Sequence, residues 1–214
     1  MKNALLTICL FIFLSSFGQK NIYHNIDSLK KEIQTNPLDS NRVIALKKWE
    51  NLIYLEDVET SFDILNKIRK ICNTNLDKKL TDKEKYFFEK ELVFTCNSLG
   101  NYYANQSNYD QSLKYYQEGL DINNRKKDLN QIAKSLHNIG GIYFISKKPK
   151  KALDFFKKSL SLKKEVKDTS GIAKSLNMIG ITYNEINEVD KALDYLNQSV
   201  SLKITQNDKI SLAE

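Results

Sequence analysis

The chain has 214 residues, 41% of them hydrophobic, and carries a formal charge of +7 from 33 basic and 26 acidic side chains. Seven glycines and two prolines supply no Gly/Ser-rich or Pro-rich linker, and lysines interleaved with acids along every segment do not make the clustered basic face of a nucleic-acid binder. His24 and His137 lie far apart with no ligand pattern around them, and neither a Gly-rich phosphate loop nor a zinc-protease motif occurs.

The N-terminus reads as an address. Met1-Lys2-Asn3 is a short basic start, Ala4 to Leu14 is an almost unbroken apolar run, and Ser15-Ser16-Phe17-Gly18 supplies small residues. This layout predicts a signal peptide over 1–18, cleavage after Gly18 and a mature chain that starts at Gln19 and works in the periplasm or cell envelope. The apolar run falls short of the roughly 20 residues a spanning helix needs; a short N-terminal anchor is the other reading of it. Residues 19–80 read as diverged helices, a cap or a degenerate repeat. Ser40 is placed to cap a helix carrying Val43, Leu46, Trp49, Leu52 and Ile53, and Asp57 to open another through Phe62, Leu65, Ile68 and Ile71. Thr81-Asp82-Lys83-Glu84 has the form of a capping box, opening a helix that runs on to Leu99 and Tyr103. Nothing calls for a strand.

From residue 81 onward the chain repeats itself. Leu99-Gly100-x-x-Tyr103, Ile139-Gly140-x-x-Tyr143 and Ile179-Gly180-x-x-Tyr183 stand forty residues apart, followed at the same phase by Ser112-Leu113, Ala152-Leu153 and Ala192-Leu193. A period between about 20 and 50 residues is the mark of stacked repeats. Leu136, Ile139, Ile142 and Tyr143 lie at helical spacing, and Ala152, Leu153, Phe156 and Leu160 form a second stripe after Pro149, which suits a first helical turn. Asp168-Thr169-Ser170 offers cap oxygens for a helix starting around Gly171. Each unit is therefore a helix–turn–helix, with boundaries at 81–130, 131–170 and 171–208, and residues 209–214 match the opening of a truncated fourth. The small residues Gly100, Gly140 and Gly180 are expected to let helices approach closely, with the tyrosines filling the space between them. Cys96 stands at the phase of Leu136 and Leu176, so it and Cys72 are expected to be buried thiols, with a disulfide as the alternative.

This pattern resembles the tetratricopeptide repeat, whose Leu-Gly pair, aromatic, second-helix Ala, aromatic and small residue are matched here by Ile139, Gly140, Tyr143, Ala152, Phe156 and Ser159 and their counterparts forty residues away. The period is longer than the family's usual 34 residues, and Asn124 and Lys164 stand where the family places Pro. The resemblance implies an all-α, right-handed superhelical solenoid of antiparallel helix pairs, with a concave groove lined by the first helix of each unit. The side chains expected to face that groove are Asn97, Asn101, Asn105, Lys134, His137, Asn138, Phe144, Lys174, Asn177 and Asn184. Asn101, Asn138 and Lys174 match the family's clamp for acidic peptide tails, whereas Asn97 and Met178 stand where that clamp has a Lys and an Arg. The implied function is an exported scaffold that grips a protein or peptide partner. The alternative is the extracytoplasmic input domain of a signal-transduction protein, joined to a membrane through a C-terminal part beyond Glu214. No catalytic acid–base or nucleophile pair can be assembled, and no enzyme activity, cofactor, small-molecule substrate or nucleic-acid partner is implied.

Overall fold

A computed structural model describes residues 25–211; the leader expected at 1–18 and residues 212–214 lie outside them. Every regular element among the described residues is helical: α1 (25–35), α2 (Asp39–Ile53), α3 (Val58–Leu76), α4 (Asp82–Asn105), α5 (Tyr109–Lys126), α6 (Leu129–Ile145), α7 (Pro149–Glu165), α8 (Thr169–Glu185) and α9 (Val189–Ser211). The chain forms two compact units, Met1–Thr95 and Cys96–Glu214, with the division falling inside α4. No described helix is long and apolar enough to cross a membrane.

In the first unit, α2 and α3 bury Val43, Leu46, Ile53, Ile64, Leu65 and Ile68. The Asp57 carboxylate caps α3 by accepting from the Thr60 amide at 2.9 Å. The cap expected of Ser40 is not made, because α2 starts two residues earlier than that cap would place it, at Asp39, and Ser40 falls within the first turn. Asp39 is drawn into that turn by the Arg42 guanidinium at 3.1 Å and the Asn75 amide at 2.9 Å. At the head of α4 the capping box is complete: the Thr81 amide donates to Glu84 Oε2 at 2.9 Å and the Glu84 amide to Thr81 Oγ1 at 3.3 Å. Two carboxylates sit in this unit's interior. Glu50 accepts from Ser61 Oγ at 3.0 Å, and Glu91 accepts from Lys47 Nζ at 2.7 Å. Cys72 is a buried free thiol, and burial with the nearby Glu91 charge pushes its pKa up to about 12.

The second unit is built from antiparallel pairs, α4–α5, α6–α7 and α8–α9. Their close approach has a visible cause. A Cβ built on Gly140 would stand 2.8 Å from the ring of Phe156, one on Gly180 2.7 Å from Leu196, and one on Gly100 3.0 Å from Tyr116. Just beyond each glycine, aromatic rings stack across the pair: Tyr103 on Tyr115 with centroids 5.4 Å apart, Tyr143 on Phe155 at 5.3 Å, and Tyr183 on Tyr195 at 5.5 Å. Small hydroxyls satisfy the backbone where the helices touch. Ser159 Oγ donates to the Ala133 carbonyl at 2.6 Å, and Ser199 Oγ, forty residues on, to the Ala173 carbonyl at 2.8 Å. One apolar cluster joins Tyr116 and Leu120 of α5 to Ile139 and Ile142 of α6, so burial is shared between neighbouring repeats as stacked architectures require. Cys96 is a fully buried cysteine in the place expected of a core leucine.

The turns keep a finer rhythm than the sequence period. Ser107, Lys127, Lys147, Lys167 and Asn187 all have positive φ, between 54° and 61°, at intervals of twenty residues. Each is followed by the residue that immediately precedes the next helix. Asn108, Asp128 and Asp168 cap α5, α6 and α8 by accepting from the amides of Gln111, Gln131 and Gly171 at 3.2, 3.0 and 2.9 Å. With Asp168 as the cap, α8 begins at Thr169, two residues before the expected start. Lys148 occupies the same position before α7 and makes no such bond. Lys148→Asp is therefore expected to stabilise the protein by about 1 kcal/mol, by capping the helix and removing a positive charge from its positive end. Urea unfolding checks this, and an unchanged midpoint would mean that the uncapped amides already have a partner. At the far end, α9 runs uninterrupted to Ser211, so the turn that the period places at 206–208 ahead of a fourth repeat is absent. At 167–168 that turn is fixed by the Asp168 cap on the following helix; no following helix is described after α9.

Candidate partner-binding groove

On α6 and α8 the apolar stripe is turned inward, with Ile139 and Ile179 almost fully buried. The polar residues between stripe positions are left on the opposite face. Because Lys134 and Lys174 share a repeat phase, they project from equivalent turns of the two helices. Between them lies an open recess of about 420 Å³, lined by Asn130, Lys134, His137, Asn138, Lys163, Asp168, Ser170, Gly171 and Lys174. Of the groove residues read from the sequence, Lys134, His137, Asn138 and Lys174 thus meet at one place.

The others stand differently. Asn101 is exposed, but its side-chain oxygen accepts from the Tyr116 hydroxyl, so it serves the helix pair as well as the surface. Asn97 is half-buried and its Oδ1 is enclosed with no donor in reach. Asn177 and Asn184 do not line the recess. Phe144, expected to face the groove, is partly buried and packs against the apolar cluster that contains Phe156, Leu160 and Ile179.

His137 sits in the wall of the recess, its ring 5.2 Å from that of Phe156 and its Nδ1 3.5 Å from Ser175 Oγ. Burial, reinforced by the charges of Lys163 and Lys174, pulls its pKa down to about 4. The folded imidazole therefore stays neutral where a free one, with pKa near 6.5, takes up a proton. Stability contributed by this group is fully present above pH 6.5 and is lost as the pH falls toward 4, because only the unfolded chain binds the proton in that window. The loss is on the order of 3 kcal/mol. His137→Asn, which installs the residue found at the same phase in Asn97 and Asn177, is expected to flatten the acid limb of a stability–pH profile. A variant whose profile keeps the full slope would place the titrating group elsewhere.

Lys163, on α7, escaped the sequence reading. It is only 3% exposed, and its Nζ donates to Ser175 Oγ at 3.1 Å. Burial holds its pKa below the ordinary lysine value, with Asp168 opposing that effect and Lys174 and Lys134 adding to it. A signal was present: Phe156, Leu160 and Lys163 follow helical spacing along the buried stripe, so a lysine stands where the pattern calls for an apolar residue. Asp168 and Ser170, whose spacing marks a helix start, also line the recess. Among the described residues no group of three or more His, Cys, Asp or Glu could hold a metal ion.

Glycine-spaced helix pairs that stack through shared apolar clusters, with polar first-helix faces left open, define a repeat protein of the scaffold class. The tetratricopeptide repeat family model matches residues 93–165 and again 131–204, together more than half of the chain, and the chain belongs to that family. No curated protein sequence matches it. Among solved structures it is similar to BtubC from P. vanneervenii, with 14% identity, a TM-score of 0.68 and coverage of 86% of this chain and 74% of that one. It is also similar to the apo form of RapI, with 17% identity, a TM-score of 0.73 and coverage of 88% of this chain and 50% of RapI. A third likeness is to a STAND signal-transduction ATPase with a tetratricopeptide repeat sensor from Pyrococcus horikoshii. There the identity is 15% and the TM-score 0.69, with coverage of 90% of this chain and 31% of that one. At these identities the likeness is one of fold.

Proposed function

We propose that the protein is an exported scaffold that holds an extended segment of a partner protein along the polar faces of α4, α6 and α8. The observation that carries this reading is the recess between α6 and α8, where Lys134, Asn138 and Lys174 converge. Amide and ammonium groups on one open face can meet the carbonyls and acidic side chains of an extended chain. Tetratricopeptide repeats are in general protein-interaction scaffolds, and the recess offers the amide and ammonium donors that such a role uses. Asn101 is better left out of a test, because its oxygen is committed to Tyr116.

The test is capture of envelope proteins by the chain from Gln19 to Glu214, run beside a variant carrying Lys134→Ala, Asn138→Ala and Lys174→Ala. A partner held by the first and lost by a variant with an unchanged melting midpoint supports the groove. Equal capture by both rejects it. A second reading, the input domain of a signalling protein, draws on the likeness to the STAND protein's repeat sensor. An apolar stretch of about 20 residues encoded downstream of Glu214 would favour it.

A further inference from the structure

A buried charge is normally paired, because an isolated ammonium in the interior costs far more than one hydrogen bond returns. Lys163 meets this rule only in part: it is almost wholly buried, its hydrogen-bond acceptor is the neutral Ser175 hydroxyl, and the acid acting on it is Asp168, which makes no hydrogen bond to it. The previous repeat shows that no charge is needed for that contact. Asn123, forty residues earlier, donates to Ser135 Oγ at 3.2 Å and does the same structural work as a neutral amide. The charge at 163 is therefore more than that contact requires. Its surroundings indicate which. Lys134 and Lys174 flank the same recess, the first turn of α8 contributes Ser170 and the positive end of a 17-residue helix, and the acid present is Asp168. One oxygen of Asp168 is already taken by the Gly171 amide at 2.9 Å. Three ammonium groups against one committed carboxylate leave an excess of about two positive charges, matching the charge and the three acceptor oxygens of a phosphoryl group. Helix N-termini are suited to the same ligand.

We propose that the recess bounded by Lys134, Lys163, Lys174 and the first turn of α8 binds a phosphoryl group, supplied either by a phosphorylated partner segment lying in the groove or by free phosphate. The first source rests on the groove reading above, and the second does not.

The experiment is an NMR titration of the chain from Gln19 to Glu214 with inorganic phosphate, with N-acetyl-O-phosphoserine amide and with acetate at matched ionic strength, following the Ser170 and Gly171 amides and the His137 ring. Both phosphoryl probes are expected to saturate, to move those two amides and to raise the His137 pKa as the surrounding positive field is neutralised, while acetate does not. Lys163→Asn is expected to keep the Ser175 contact and the melting midpoint, and to weaken phosphate binding about tenfold or more. Should that variant fold poorly, Lys134→Ala, at an exposed position, is expected to weaken binding several-fold with no loss of stability. Tighter binding of the phosphoserine probe assigns the site to a modified partner; equal or weaker binding assigns it to the free ion. Shifts that follow ionic strength alike in all three titrations overturn the proposal, as do acetate binding as tight as phosphate binding or undiminished binding by Lys163→Asn. A protein that captures a partner through the groove yet ignores both phosphoryl probes would sink this inference alone. One that binds phosphate but captures nothing would sink only the groove reading.

Discussion

Gly140→Leu is expected to destabilise the second unit by about 3 kcal/mol, while Gly141→Ala beside it is expected to stabilise it by about 0.5–1 kcal/mol. The two glycines are adjacent on α6 and face opposite environments. A Cβ at 140 would lie 2.8 Å from two ring carbons of Phe156 and 3.3 Å from the Phe155 Cβ, whereas one at 141 would meet nothing within 4 Å. Phe156 is fully buried and cannot swing aside without opening the cluster it shares with Leu160, Ile179 and Ala192. A leucine there must push α6 and α7 apart. At 141 only the backbone term remains, and alanine is the better helix residue by up to about 1 kcal/mol. Thermal and urea unfolding of the two variants checks both signs. Equal midpoints would mean that the glycine phase is not the packing contact it is taken to be. Asn138→Ala, on the open face of the same helix, serves as the neutral control.

The second large effect is expected in the first unit. Lys47→Met should cost about 3 kcal/mol, and adding Glu91→Leu should recover most of it. Glu91 is buried, with its carboxylate held by Lys47 Nζ at 2.7 Å, and that same ammonium lies 4.1 Å from the ring centroid of Phe94. Removing the lysine leaves an interior carboxylate without its partner. Replacing both residues by apolar ones of similar volume leaves nothing to solvate. The measurement is a double-mutant cycle by urea denaturation, and additive single effects would show that the pair contributes no coupling.

The repeat was fully legible in the sequence because its apolar residues repay burial at every turn. Leu99, Ile139 and Ile179, the glycines beside them and the tyrosines three residues on each perform the packing that their sizes suggest. The partners of those tyrosines, Tyr115, Phe155 and Tyr195, stand at a common phase that could have been read in the same way. The places of the turns were legible at Pro149 and Asp168, but their left-handed residues were not. Lysine has no preference for positive φ, so nothing at Lys127, Lys147 or Lys167 announces a left-handed residue; the conformation is imposed by the helices on either side. The groove was half legible. Residues on its first helices could be placed by periodicity, but Lys163 enters from a second helix, and a rule that assigns second helices to the core passes over it. Ser40 shows a local signal outweighed by longer-range contacts, as Arg42 and Asn75 draw Asp39 into the turn in its place.

The left-handed residue at every twentieth position also limits how the chain can change length. Inserting or deleting twenty residues would preserve the spacing of the turns but exchange the two kinds of helix, setting an alanine-bearing face where a glycine-bearing one must receive Phe156. A change of forty keeps both. Loss of residues 129–168, for example, would join α5 directly to α8 and bring Asn123 to Ser175 in place of Ser135. Length in this protein is thus quantised by helix pairs, and a gene that grows or shrinks by whole pairs inherits a junction already proven in the neighbouring repeat.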